Sequence, residues 1–116
     1  MDDFHRFLHG GNKMKNEMKE LKRLIVESKR LKKISLEIDE RIDDAILKEE
    51  ICEAYKEDWK SLEEENDAVY DKHWKCLEEI VDILYTVTGG KIDRKTGWSM
   101  AISKSDQILA LVNRIV

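Results

Sequence analysis

Four carboxylates stand in two pairs of equal spacing, Glu50 and Glu53 in KEEICEAY and Glu79 and Asp82 in LEEIVDIL. Three residues is just under one helical turn, so each pair projects from one side of its helix. Carboxylate oxygens are the ligands a hard cation such as Mg²⁺ prefers, and four of them at one height on adjacent helices could hold it. Other residues with chemical potential are few. His5 and His9, four apart, could bring two imidazoles to one metal, but no third ligand is near and Arg6 lies between them, so they read as an exposed helix face. His73 falls inside an apolar stripe and reads as a hydrogen-bonded core or boundary histidine. Cys52 and Cys76 make no CxxC pair and read as two small hydrophobes in a reducing compartment. On the residues alone, no catalytic side chain and no cofactor is assigned.

The elements that must position these groups are helices. The chain of 116 residues is 40% charged and 41% hydrophobic, with no Pro and only 5 Gly, so little interrupts long helical runs. The reading is all-α: a small helical bundle with a long antiparallel helical hairpin, in a single domain over residues 1–116. Residues 1–12 read as an N-terminal arm ending at Gly10-Gly11, residues 13–88 as long helices, and residues 89–116 as a turn and a closing helix. Met14, Met18, Leu21 and Ile25 recur at 4, 3, 4, a heptad-like stripe that needs more apolar cover than one short domain readily supplies and so suggests a homodimer. Ser35 before Glu37, Asp39 and Glu40 looks like an N-cap ahead of an acidic first turn, placing a break near residues 33–36, with an unbroken helix as the alternative. The second helix then runs to about residue 64, with Glu49 on its apolar stripe, where a carboxylate must be partnered, protonated, metal-bound or at the margin of the stripe, and the margin is the reading taken. Asn66-Asp67 supplies the turn and cap, and a third helix carries Val69, His73, Leu77, Ile80 and Leu84 to a stop at Gly89-Gly90. In KIDRKTGWSM, residues Asp93, Thr96 and Gly97 suggest a tight turn or minor β-hairpin near residues 91–99. Ser103 or Ser105 caps the closing helix, which carries Ile108, Leu109, Leu111, Val112 and Ile115.

A hairpin turning near residues 65 and 66 would bring Glu50 level with Val81 and Glu53 level with Glu78, so the two acidic pairs would share a height. KEEICEAY and LEEIVDIL resemble the MazG-type all-helical nucleoside triphosphate pyrophosphohydrolases over residues 48–85. The resemblance implies Mg²⁺ held by Glu50, Glu53, Glu79 and Asp82, with a bound water attacking the triphosphate. It is carried as the alternative to a non-enzymatic reading, because Glu79 and Asp82 also fall where a solvated helix face would put them.

The same turn would set Tyr55 and Trp59 beside Tyr70 and Trp74, as a core-filling cluster or a docking patch at the hairpin tip, since Trp and Tyr dominate binding hot spots. Trp98 reads equally as a core plug or an exposed anchor. Charge is uneven: residues 1–36 carry ten Lys or Arg against five acids, residues 37–93 seven against nineteen, and residues 94–116 four against one. The basic stretch KELKRLIVESKRLKK could meet phosphates and gives a second alternative, a nucleic-acid-binding regulator, although Glu17, Glu20 and Glu27 dilute it. Conversely, the acidic middle could imitate a phosphate backbone and occupy a basic channel on a nucleic-acid-handling enzyme, the strategy of small acidic phage inhibitors such as anti-CRISPR proteins. No apolar run approaches the roughly 18 residues that span a bilayer, and the Met1 end is acidic, so the expected setting is the cytoplasm. The leading expectation is a non-enzymatic protein-binding module, an inhibitor or regulator that makes homo-oligomers. Its partner surface is Tyr55, Trp59, Glu63, Glu64, Glu65, Tyr70 and Trp74.

Overall fold

A computed structural model describes residues 11–53 and 59–115. It is all-α, with four helices among the described residues: α1 (Gly11–Ile51), α2 (Trp59–Val87), α3 (Arg94–Ser103) and α4 (Ser105–Ile115). None is long and apolar enough to cross a membrane. The long antiparallel hairpin is present, made of α1 and α2, but its corner differs from the one read in the sequence. α1 continues through residues 33–36 without a break, and α2 continues through Asn66-Asp67. The chain reverses instead between Ile51 and Trp59. Ser35 and Asn66 have side chains suited to caps and turns, yet here both are buried and bonded to each other across the hairpin.

The chain packs as two compact units. One comprises residues 28–75; the other comprises the described residues up to Glu27 together with those from Cys76 onward. In the latter, Met18, Leu21, Leu24 and Ile25 of α1 pack with Leu77, Ile80, Val81 and Leu84 of α2, Ala101 of α3, and Ile108 and Val112 of α4. The apolar stripe on α1 is therefore covered by the chain's own α2, α3 and α4, which removes the reason given above for a second copy at that stripe. Met14 lies outside the described side chains.

α2 ends in a Schellman motif. Gly89 N–H donates to Thr86 O at 3.2 Å and Gly90 N–H to Tyr85 O at 2.9 Å, with Gly89 at φ 61° and Gly90 at φ 85°. Gly89-Gly90 thus stops the helix as the sequence indicates. Residues 91–99 make no hairpin. Asp93 is the N-cap of α3, accepting from Thr96 N–H at 2.7 Å, and this bond holds its carboxyl below the ordinary value. Gly97 is helical and buried, and a Cβ there would stand 3.2 Å from Val81 Cγ1, so its lack of a side chain allows close packing of α3 on α2. Trp98 is partly buried against the apolar core. A single residue, Lys104, joins α3 to α4: its N–H donates to Met100 O and its carbonyl accepts from Ile108 N–H. The Ser103 hydroxyl turns back onto Ser99 O at 2.6 Å, so it is engaged within α3 and not in capping α4.

Candidate functional site

Within residues 28–75 the seam between the two helices is polar as well as apolar. Leu31, Ile38, Ile42 and Ala45 of α1 are buried, and so are Ser28, Ser35 and Asn66. The Ser35 hydroxyl donates to Asn66 Oδ1 at 2.8 Å, and Asn66 Nδ2 donates to Asp39 Oδ1 at 2.7 Å. Seven residues from each of these, Ser28 Oγ lies 2.9 Å from His73 Nε2. Two rungs with the same spacing on both helices fix their register, because a slip of one turn would leave buried polar atoms unpaired. Burial pushes the His73 pKa below its ordinary value, helped by the charge of Lys32. His73 is thus the bonded boundary histidine expected from its stripe. The network itself was missed, although Ser28 with Ser35 and Asn66 with His73, each seven apart on apolar stripes, were a readable signal.

Nearer the corner, Glu49 Oε2 accepts from Trp59 Nε1 at 2.9 Å, so this carboxylate is partnered and not merely marginal on its stripe. An open hollow beside this bond is lined by Ile46, Glu49, Glu50, Glu53 and Trp59. Glu50 and Glu53 therefore stand with Trp59, at the height where the expected corner would have put Val81 and Glu78. Glu79 and Asp82 belong to the other unit, exposed on α2, with Asp82 accepting from Arg94, whose guanidinium also lies 5.2 Å from the centre of the Tyr85 ring. Among the described residues, no group of three or more His, Cys, Asp or Glu side chains is placed to hold a metal ion.

The aromatics divide. Tyr55 lies outside the described residues. Trp59 is half-buried and tied to Glu49. Tyr70 and Trp74 follow Trp59 on the same helix by 11 and 15 residues, about 16 and 22 Å along its axis, so they form no cluster with it. They stand one turn apart, 52% and 59% exposed. Glu63, Glu64 and Glu65 are exposed on the same helix. Cys52 is exposed and Cys76 partly buried, and neither is in a disulfide. His5 and His9 lie outside the described residues. What residues 59–74 offer, then, is an acidic helix with two large aromatic side chains turned outward and an inner face closed by Leu62, Asn66, Val69 and His73. No family model, curated protein or solved structure matches the chain.

Proposed function

We propose that this chain is a non-catalytic protein-binding module, an inhibitor or regulator, that docks the outer surface of α2 on a basic partner such as a nucleic-acid-handling enzyme. The observation that carries the reading is the pair Tyr70 and Trp74, each more than half exposed on a helix that already has a closed inner face. Isolated exposed hydrophobics are ordinary, but adjacent aromatics are the side chains that anchor interfaces, because they bury large area at low entropic cost. Glu63, Asp67 and Asp71 share the side of the helix that carries the two aromatics, and with Glu64 and Glu65 nearby they make this stretch of α2 acidic, which steers encounter with a basic surface and disfavours acidic ones.

The test separates steering from anchoring. Reversing Glu63, Glu64 and Glu65 to Lys should slow capture of the partner about tenfold or more at low salt and leave helicity intact. Trp74→Ala should instead speed release. Capture unchanged by both would remove the reading. Release of pyrophosphate from nucleoside triphosphates, dependent on Mg²⁺ and lost in Glu79→Gln, would replace it with the hydrolase.

A further inference from the structure

Five exposed side chains follow one another along α1 at spacings of three, four, four and three: Lys29, Lys32, Leu36, Glu40 and Asp43. At 100° per residue they occupy an arc of about 80°, a stripe about 21 Å long and about 130° round the helix from the seam buried by Ser35, Ile38 and Ile42. Leu36, at its centre, is 55% exposed.

The charges on this stripe are set out against the interest of a lone helix. The residues three and four away from Lys29 are Ile25, Val26, Lys32 and Lys33; those around Lys32 are Ser28, Lys29, Ser35 and Leu36. Glu40 has Leu36, Glu37, Asp43 and Asp44 at those distances, and Asp43 has Asp39, Glu40, Ile46 and Leu47. Every charged neighbour at helical spacing is thus of like sign, an arrangement that weakens a helix standing by itself. Turned end over end, the stripe becomes its own complement. With a two-fold axis through Leu36, Lys32 of one copy falls opposite Glu40 of the other, Lys29 falls opposite Asp43, and the two Leu36 side chains meet on the axis. A closed pair of identical chains requires this kind of self-complementary patch.

We propose that the chain forms an antiparallel homodimer, α1 against α1, with Leu36 on the two-fold axis and four symmetry-related Lys–carboxylate pairs flanking it. The occupant of the stripe is a second copy of the chain because the sign pattern reverses about its midpoint. A partner of uniform charge would meet one half and be repelled by the other. The contact uses α1, not the α2 surface assigned above to a partner, and does not rest on that assignment. So short a stripe, held largely by surface charge, gives a dimer that depends on concentration and weakens with salt.

Sedimentation of the full chain over a range of concentrations tests this. The expected result is a monomer–dimer equilibrium whose dissociation constant rises about tenfold or more between low and high salt. Lys29→Glu with Lys32→Glu, and separately Glu40→Lys with Asp43→Lys, should each give monomers of unchanged helicity. Mixing the two variants should restore a dimer, and so should combining all four substitutions in one chain. In a background of Cys52→Ser and Cys76→Ser, Leu36→Cys should crosslink to itself on oxidation. A wild-type chain that stays monomeric throughout leaves the stripe to another occupant and overturns the proposal. A dimer indifferent to both double reversals overturns it equally.

Discussion

Asn66 shows how one side chain can be read correctly in type and wrongly in use. Its amide suits a turn, but here the carbonyl end accepts from Ser35 and the amino end donates to Asp39, with the residue 6% exposed inside a helix. A single sequence cannot tell a turn Asn from a seam Asn by type alone; the tie-breaker is the seven-residue echo at His73. His73 carries a pH prediction. Its pKa in the folded chain is lowered from 6.5 by burial and by Lys32. Between the lowered value and 6.5 the unfolded chain binds the extra proton, so the stabilisation is fully present above 6.5 and is lost as pH falls through the folded value. Thermal midpoints measured from about pH 7 to pH 5 should drop more steeply for the wild type than for His73→Gln. Parallel slopes would show that the histidine is not linked to folding. The candidate site was legible at this scale only in part: Tyr70, Trp74 and the glutamates before them were named, while the polar rungs beneath them were not.

Among the elements, those closed by residues with special backbone freedom were the readable ones. Gly89-Gly90 ends α2 where expected because only glycine adopts a positive φ there without strain. The reversal between Ile51 and Trp59 escaped notice because the sequence there has no Gly or Pro to mark it, and the acidic quartet was assembled on the wrong corner as a result. Residues 91–99 were misread for a related reason, since Asp followed three residues later by Thr serves a β-turn and a helix N-cap alike. Gly97 decides between them through its contact with Val81. The energetics of α2 rest on Ile80, which is fully buried among residues of the apolar core. Ile80→Ala should cost about 2–5 kcal/mol in denaturant unfolding. A loss well under 1 kcal/mol would mean that this core is not packed as described.

For the molecule as a whole, the division into an apolar unit and a unit with a polar seam sets where stability resides. Residues 28–75 place two hydroxyls, an amide and an imidazole along a two-helix seam, whereas the other unit closes four helical segments over a cluster of buried apolar side chains. Net hydrogen-bond energies are modest beside fully buried aliphatics, so opening should begin in the seam. Native-state hydrogen exchange should find the slowest amides around Leu24, Ile25, Ile80 and Val81, with those around Ser35 and Asn66 exchanging sooner. The reverse order would contradict this ranking. The composition of the apolar core has a further consequence, for synthesis. Met18, Leu21, Leu24 and Ile25 leave the ribosome before the α2 side chains that cover them, which begin with Cys76 and Leu77, about fifty residues later in the chain. At roughly 5–20 residues per second the nascent chain carries that greasy strip uncovered for several seconds. Throughout that interval it is bait for any holdase near the exit tunnel.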